Sequence, residues 1–452
     1  MVDIAATPRN GLTVVSTFSG CGGSCLGFEM AGYTVRWASE FVPAAAEVYR
    51  LNHPGVPLDT RDIRDVTAAD ILAASGLAVG ETDVLEGSPP CASFSTAGKR
   101  QASWGKTTAY SDTAQRSDDL FFEFVRILDG VRPRVFVAEN VSGLVKGAAK
   151  GYFKDILRAM KATGYRVEAR LLDAQWLGVP QSRQRIIFVG VRDDIDRAPA
   201  FPSPLPYRYS VRDALPNIVA QGDNGAFGGG GMRDAATAPS GTIGAGPQTG
   251  NGTYAPSVVE AIVGIEDANG YTSHAYYPSD RPMETVQAQR PVRVAVRAVR
   301  DIRLGAHGFK PETVIDIGSR PSPTVGATGM GSYSYDVGFD ETDITRYAIG
   351  AEWDKLAPGE QSDRYRSLIK LDPDGPSPTI MQRGGDGGDA TVTHPTERRK
   401  FTIAELKRIC AFPDDFVLTG TYAQQWERLG RAVPPLMMRA VAEAVRDEVL
   451  MP

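Results

Sequence analysis

The chain is poor in cysteine and has no long apolar run. Its 452 residues include four cysteines, Cys21, Cys25, Cys91 and Cys410, too few for the disulfide framework of a secreted protein. Cys21 and Cys25 have no second Cys/His pair at zinc spacing, so we expect no metal site. No apolar signal region opens the sequence, and no apolar run reaches membrane-spanning length. We therefore expect a cytoplasmic protein with no membrane partner.

An excess of positive charge is also lacking. The net charge at pH 7 is −5, so any binding of nucleic acid must come from local patches. Hydrophobic residues make up 42% of the chain and charged residues 23%, which is ordinary for globular proteins. A chain of this length has room for two or more domains.

Cys91 stands where a nucleophile is presented rather than buried. Val84 and Leu85 predict a buried strand, which Pro89 and Pro90 must end. A lone cysteine is by default a small hydrophobic residue. A strand followed by two prolines, a cysteine and a Ser/Gly-rich loop is instead typical of a nucleophile at the mouth of an α/β sheet.

A glycine-rich turn follows the first predicted strand. Residues 12–18 predict a buried parallel strand, and residues 18–23, FSGCGG, lead directly into a helix. We call residues 18–23 the glycine loop. A strand, a glycine turn and a helix open a nucleotide-binding Rossmann-like sheet, although this is not the dinucleotide pattern GxGxxG. Glu40 ends the next strand, about 20 residues later, where a carboxylate accepts ribose hydroxyls.

Several motifs resemble those of the cytosine-5 DNA methyltransferases and occur in that family's order. They are FSGCGG, Asp62-Ile63, Pro90-Cys91, Glu139-Asn140-Val141, Gln181-x-Arg183-x-Arg185 and the segment RRKFTIAEL at 398–406. Thr402 and Glu405 in the last segment form a capping box that predicts the start of a helix. Ala92 departs from the family's Gln, and Arg431 stands where the family normally has Asn.

The resemblance implies the site residues. The catalytic ones are Cys91 as nucleophile, Glu139 at the target base, and Arg183 and Arg185 near the cytosine. S-adenosyl-L-methionine would be bound by Phe18, Gly20, Gly22, Gly23, Glu40, Phe41, Asp62, Ile63, Arg431 and Ala432. The substrate would also contact Pro90, Asn140, Val141 and Gln181.

The expected architecture has two domains. The resemblance implies a Rossmann-like α/β domain with a mostly parallel sheet and helices on both faces, formed by residues 1–192 and 420–452. Its last helix should pack beside the first helix and complete the cofactor pocket. From Asp193 proline and glycine become frequent, and residues 222–252 are glycine-rich. Residues 193–419 are predicted to form a smaller loop- and β-rich target-recognition domain.

The predicted function is sequence-specific DNA (cytosine-5)-methylation in a restriction-modification context. The enzyme, expected to be a monomer, would flip cytosine out of double-stranded DNA and methylate C5 through a covalent Cys91 adduct. Alternatives are a tRNA cytosine-5 methyltransferase and a catalytically silent DNA-binding relative.

Arg431 adds an alternative donor. A guanidinium beside the sulfonium of S-adenosylmethionine is repelled by it, so the default is that Arg431 pairs with an acidic neighbour or a phosphate. Alternatively, Arg431 could grip the carboxylate of carboxy-S-adenosyl-L-methionine, and the product would be 5-carboxymethylcytosine.

Overall fold

The computed structural model describes residues 7–90, 119–145, 149–216, 341–386 and 388–451, and the backbone of short strands between 108 and 115 and between 263 and 336. Cys91 and the glycine-rich stretch 222–252 lie outside the described residues.

The strands of the described chain are β1 (Thr13–Thr17), β2 (Thr34–Ser39), β3 (Leu58–Asp59), β4 (Val84–Gly87), β5 (Thr108–Tyr110), β6 (Thr113–Gln115), β7 (Val135–Val141), β8 (Tyr165–Asp173), β9 (Gln184–Arg192), β10 (Val263–Glu266), β11 (Thr272–Ala275), β12 (Arg293–Val296), β13 (Arg303–Leu304), β14 (Tyr335–Asp336), β15 (Ile369–Lys370) and β16 (Val392–Thr393).

Its helices are α1 (Gly23–Met30), α2 (Pro43–Asn52), α3 (Ala68–Ser75), α4 (Leu120–Val131), α5 (Ala149–Ala162), α6 (Val211–Ala214), α7 (Ala348–Trp353), α8 (Ile403–Ile409), α9 (Tyr422–Arg431) and α10 (Pro435–Val445). Short 3₁₀ turns occupy Ile63–Asp65, Ser142–Val145 and Ala174–Trp176, and a π-helical turn follows α10 at Arg446–Leu450. Within the described part of the chain, no helix is both long and apolar enough to cross a membrane.

Among the described residues, seven strands form the main sheet in the order β3-β2-β1-β4-β7-β9-β8. The pairs from β3 through β7 are parallel. Strand β9 runs antiparallel to both of its neighbours, β7 and β8. The prediction of a Rossmann-like α/β domain with a mostly parallel sheet is confirmed.

Two apolar cores cover the two faces of this sheet. Successive side chains of a strand point to opposite faces, so neighbouring residues of β1 enter different cores. Val14 packs with Phe28 of α1 and with α10, whereas Val15 packs with Phe124 of α4 and with α5. Burial on both faces explains why the central strands are continuously apolar.

Helix α10 packs against α1, as the sequence predicts. The helices approach so closely that a Cβ atom on Gly27 would lie 2.6 Å from the carbonyl oxygen of Pro435. The Tyr33 hydroxyl donates to the carbonyl of Ala442 at 2.9 Å. The chain therefore brings residues about 400 positions apart in sequence into one helix pair.

Helix α8 begins at the predicted capping box. Thr402 Oγ1 accepts a hydrogen bond from the Glu405 main-chain N–H at 3.2 Å, and the Glu405 carboxylate accepts one from the Thr402 N–H at 2.7 Å. Arg399 donates to both oxygens of Glu405, at 2.7 and 2.8 Å. Arg399 and Glu405 are both buried. Their hydrogen bonds therefore stabilise the start of α8.

The chain divides into two compact units, Met1–Gln221 with Glu341–Pro452, and Gly222–Asp340. In the second unit, β10 pairs antiparallel with β11 and β12, and β13 pairs with β14. The predicted recognition domain, residues 193–419, includes the second unit and part of the first. A compact unit of the chain need not coincide with the segment that recognises the target sequence. The assignment of residues 193–419 to target recognition therefore stays a prediction.

Candidate active site

The strand arrangement brings the predicted motifs to one edge of the main sheet. Thr17 lies beside Gly87 in the register of β1 and β4, and Gly87 lies beside Ala138 of β7. Arg185, near the start of the antiparallel β9, pairs with Val141 at the end of β7. The glycine loop, the Glu139-Asn140-Val141 motif and the motif that contains Arg185 therefore meet at the carboxyl edge of the sheet. Open α/β sheets bind their ligands at this edge.

The glycine loop is shaped by main-chain conformations that favour glycine. Phe18, Gly20 and Gly22 all have positive φ, at 55°, 58° and 97°. A Cβ atom on Gly22 would lie 2.2 Å from Nε2 of the buried His53. Around the corresponding position on Gly20 there is open space. The loop therefore has a packed side against His53 and an open side at Gly20.

The segment before α10 closes on the glycine loop. A Cβ atom on Gly23 would lie 2.4 Å from the carbonyl oxygen of Val433 and 3.6 Å from Cβ of Ala432. Glycine at position 23 is thus required for the close approach. Ala432, a predicted cofactor residue, lies next to the loop.

Glu40 holds the main chain of the glycine loop at Gly20. Its carboxylate is buried and accepts hydrogen bonds from the main-chain N–H groups of Gly20, at 2.8 Å, and Val42, at 2.7 Å. Burial raises the pKa of Glu40, and these two hydrogen bonds oppose that rise. A carboxylate has lone pairs for more than two donors, so the same group can still accept hydroxyls. Phe41 follows, half-buried.

Asp62 is held by a neighbouring arginine. Its carboxylate accepts from the Arg64 main-chain N–H at 3.0 Å and pairs with the Arg64 guanidinium at 3.0 Å. Arg64 also pairs with Asp119 of the segment before α4, at 2.6 Å. Ile63 is buried. The roles of Asp62 and Ile63 at adenine stay predictions.

Glu139 and Arg185 form an ion pair at the end of β7. Arg185 Nε donates to Oε1 of Glu139 at 2.7 Å, and the two side chains are 14% and 10% exposed. A short, charge-assisted hydrogen bond shielded from water is among the stronger polar contacts in proteins. We call Glu139 and Arg185 the base-side pair, because the sequence predicts that both lie near the target cytosine.

Asn140 ties the end of β7 to the segment that leads to Cys91. Its buried amide donates to the carbonyl of Pro89 at 3.0 Å and accepts from the N–H of Val141 at 2.8 Å. Pro90 is the last described residue before Cys91. The amide therefore positions the main chain, and its predicted contact with substrate stays a prediction.

Arg183 is fully buried, and its hydrogen bonds to described residues go to main-chain carbonyls. It donates to Ile380 at 3.2 Å, Gly430 at 2.9 Å and Arg431 at 3.3 Å, while its Nε has no partner there. Desolvation, and then the charge of Arg185, lower the pKa of Arg183 to about 9. Arg183 thus joins three segments, and its contact with cytosine stays a prediction.

Gln181 is likewise buried. Its amide Nε2 donates to Sγ of Cys410 at 3.3 Å, and its main chain forms a parallel bridge with Ser377. The side chain has no exposed surface, so it supports the segment that precedes Arg183. Its predicted contact with substrate stays a prediction.

Arg431, where the sequence departs from the family, pairs with an acidic neighbour. Its Nε and Nη2 both lie 2.8 Å from Oε1 of Glu427, one turn earlier in α9. Burial raises the pKa of Glu40, and the charges of Arg428 and Arg431 are among the influences that oppose this rise. The Arg431 guanidinium is therefore held by Glu427, a carboxylate that also pairs with Arg428 at 3.0 Å.

The described cysteines are unlike a nucleophile. Cys21, Cys25 and Cys410 are free and buried. Desolvation raises the pKa of Cys21 to about 12 and that of Cys410 to about 11. No group of three or more His, Cys, Asp or Glu side chains that could hold a metal ion occurs in the described part of the chain.

Comparison with known sequences decides the family. The profile of the family described as C-5 cytosine-specific DNA methylase matches residues 12–243 and 322–447, which is most of the chain. The chain belongs to this family.

Individual relatives agree with this assignment. The Type II methyltransferase M.NgoPII of Neisseria gonorrhoeae is 33% identical over 202 residues, which span 45% of this chain and about half, 54%, of that relative. M.AgeI of Thalassovita gelatinovora is 25% identical over 96% of this chain and 99% of its own. A DNA modification methyltransferase encoded within an E. coli prophage, 18% identical, covers 97% of this chain and 99% of its own with a TM-score of 0.57, which supports the fold.

The predicted family, fold class and enzyme class, a DNA (cytosine-5-)-methyltransferase, are confirmed. Use of S-adenosyl-L-methionine and a DNA substrate are features of this methylase family. Sequence reasoning missed one buried group at the edge, Glu86, which is 1% exposed in β4. The signal for it was a carboxylate inside the apolar strand that leads to Cys91.

Proposed function

We propose that this methylase modifies C5 of cytosine in double-stranded DNA at one specific sequence, with Cys91 as the nucleophile. The observation that carries the proposal is the meeting of two elements at the carboxyl edge. Asn140 holds the segment that leads to Cys91, and the adjacent Glu139 is held by Arg185. A carboxylate fixed beside a nucleophile-bearing segment is what activation of a cytosine ring requires.

The chemistry follows from the weak nucleophilicity of C5 in an aromatic ring. The Cys91 thiolate forms a bond to C6, and the electron pair moves towards C5 while Glu139 stabilises the ring at N3. When bound, S-adenosyl-L-methionine supplies the electrophilic methyl group that C5 attacks. Water then takes the C5 proton in this proposal, the C5–H electron pair re-forms the C5–C6 double bond, and the C6–S bond breaks to release the Cys91 thiolate.

The cytosine must leave the base stack to reach Cys91. Flipping a base costs a few kcal/mol of unstacking and unpairing. Arg185 lies at the site edge, partly exposed and hydrogen-bonded to Glu139. Arg185 can therefore contact the flipped cytosine. Glu139 is already nearly buried, so the approach of the cytosine removes little further water from its carboxylate.

The glycine loop fits S-adenosyl-L-methionine. Glu40 has lone pairs for ribose hydroxyls beside the open side of the loop at Gly20. Phe41, half-buried next to Glu40, offers an aromatic face for adenine. Phe18, Gly22, Gly23 and Ala432 complete the walls of the pocket in this proposal.

The pairing of Arg431 supports the methyl donor over carboxy-S-adenosyl-L-methionine. Glu427 holds the Arg431 guanidinium at 2.8 Å and also pairs with Arg428 at 3.0 Å. A donor carboxylate would have to displace that pair, whereas a methyl group need not. We therefore propose 5-methylcytosine as the product.

Sequence recognition is assigned to residues 193–419. Relatives such as M.AgeI and M.DdeI are named Type II methyltransferases, which supports a role in restriction-modification. Exchange of residues 193–398 for the equivalent segment of M.AgeI should change the target sequence and keep S-adenosylmethionine binding. If specificity stays with the rest of the chain, the recognition domain is wrongly assigned. The monomeric state stays a prediction.

The decisive experiment is expression with a plasmid in a host without cytosine methylation, followed by methylation sequencing. Modified cytosine within one sequence context is the expected result. Modification of tRNA in place of DNA, in a competition between the two substrates, would support the tRNA alternative. DNA binding without modification would identify a silent relative. Nucleoside mass spectrometry, with both donors offered together, separates 5-methylcytosine from 5-carboxymethylcytosine.

A further inference from the structure

Glu86 is a buried carboxyl group for which the proposed chemistry has no use. Desolvation raises the pKa of Glu86, and hydrogen bonds from Ser16, Ser24 and Cys25 act in the opposite direction. A carboxyl group among apolar strands destabilises a fold unless donors meet it. The location of those donors is therefore informative.

The donors lie on both sides of the glycine loop. Ser16 Oγ donates to Oε1 of Glu86 from the end of β1, just before the loop. Ser24 Oγ donates to Oε2 at 2.7 Å, and Cys25 Sγ lies 3.5 Å from Oε1, both from the first turn of α1. One carboxylate thus holds the entry and the exit of the loop.

A further contact extends this arrangement into the loop. Ser16 Oγ lies 2.7 Å from Oγ of Ser19. The carbonyl of Ser19 accepts from the N–H of Gly22 at 3.0 Å. Glu86 is therefore connected through Ser16 and Ser19 to the turn that Gly22 forms.

The main chain of Glu86 belongs to the other half of the site. Its carbonyl accepts from Thr17 Oγ1 at 3.1 Å. After Gly87, β4 ends and the chain continues to Pro89, whose carbonyl Asn140 holds. The same residue therefore contacts the residues on both sides of the glycine loop and stands in the strand that leads to Cys91.

We propose that Glu86 is a positioning residue that holds the glycine loop in its cofactor-binding shape and fixes it relative to the segment that carries Cys91. The inference rests on the proposed use of the loop for S-adenosylmethionine. It assigns Glu86 no contact with cofactor or DNA.

Equilibrium binding of S-adenosylmethionine by calorimetry, and steady-state kinetics, test this role. Glu86→Ala should weaken S-adenosylmethionine binding about tenfold or more, the loss expected when hydrogen bonds to a buried carboxyl group are removed. The Michaelis constant for S-adenosylmethionine should rise, and that for DNA should stay unchanged. Glu86→Gln, which keeps the shape and can pair with serine hydroxyls, should restore most of the affinity. Ser24→Ala should give an intermediate loss.

Asp83 supplies a matched control. It bridges the same two strands at their opposite end, accepting from the Thr13 N–H at 2.8 Å and pairing with Arg134 at 2.8 Å. Asp83→Asn should lower thermal stability and leave S-adenosylmethionine binding unchanged. Equal weakening by Asp83→Asn and Glu86→Ala would overturn the inference, because a general loss of sheet stability would then explain both.

Two outcomes separate this inference from the proposed function. If the native enzyme binds no S-adenosylmethionine, the proposed function fails. If the native enzyme binds it and Glu86→Ala binds within about twofold, less than one hydrogen bond is worth, the positioning role fails alone. If Glu86→Ala does not fold, Glu86→Gln and Ser24→Ala decide the matter, and native affinity in Ser24→Ala overturns the inference.

Discussion

At the carboxyl end of β1 the main chain shapes the site, whereas at the carboxyl end of β7 charged side chains shape it. Gly20 and Gly22 have positive φ, and Gly23 allows Val433 to approach. Glu139 and Arg185, in contrast, form a nearly buried ion pair. Substitutions in these two regions should therefore impair different steps. Damage to the glycine loop should change binding of the cofactor, and damage to the base-side pair should change the rate of the chemical step.

The largest effect is expected from the nucleophile, Cys91, which follows β4 in the sequence. Cys91→Ser should lower turnover at least ~10³-fold, as removal of a nucleophile does, and keep binding of both DNA and cofactor. DNA that contains 5-fluorocytosine should trap the native enzyme covalently at Cys91, which peptide mass spectrometry identifies. The raised pKa values of Cys21 and Cys410 make them poor alternatives. An adduct at Cys21, Cys25 or Cys410 would contradict the assignment.

The base-side pair should come next. Glu139→Gln should lower kcat about 10²-fold, a typical contribution of acid-base catalysis, and leave the dissociation constant of S-adenosylmethionine unchanged. Glu123→Gln is a matched control, because Glu123 pairs with Arg126 at the same distance, 2.7 Å, on helix α4. The control should keep native kcat. Weaker cofactor binding in Glu139→Gln would show that the two sides are not separable.

A smaller effect is expected from the packed side of the glycine loop. Gly22→Ala places a methyl group against His53 and strains a φ of 97°, so S-adenosylmethionine should bind about tenfold more weakly, the equivalent of about 1.4 kcal/mol. Gly55→Ala is the control, since Gly55 has a φ of 87° and open space around it. It should lower thermal stability only. Similar cofactor affinity in both variants would contradict this prediction, because the packing of Gly22 against His53 would then have no effect on the cofactor.

The smallest effect is expected at Arg431. The Glu427–Arg431 pair spans one helical turn, and such pairs contribute about 0.3–0.5 kcal/mol. Arg431→Asn should therefore shift urea unfolding only slightly and should still give 5-methylcytosine. A native enzyme that makes 5-carboxymethylcytosine, and loses it in Arg431→Asn, would revive the alternative donor.

The main-chain side was the more predictable of the two. A turn that needs positive φ selects glycine, so FSGCGG reports the geometry of residues 18–23 directly. The meeting of the motifs at one edge of the sheet follows because parallel strands place their carboxyl ends together. The capping box at Thr402 is equally local, since both partners lie within one helical turn.

Contacts between distant side chains were less predictable. Arg183 and Arg185 alternate in sequence, and yet Arg183 turns to the carbonyls of Gly430 and Arg431 while Arg185 turns to Glu139. Nothing local in the sequence names a partner that lies about 250 residues away. Glu86 was missed for the same reason, because its donors come from β1 and α1.

The pairing of α1 with α10 also determines when the fold can be completed during translation. The ribosome makes Gly27 about 400 residues before it makes Pro435, the residue whose carbonyl Gly27 accommodates. At 5–20 residues per second the interval is roughly 20–80 s. Throughout that time the surface of α1 that packs on α10 lacks this partner. The enzyme should therefore gain its cofactor pocket only after α10 has left the ribosome, and a nascent chain stalled before Pro435 should retain no S-adenosylmethionine.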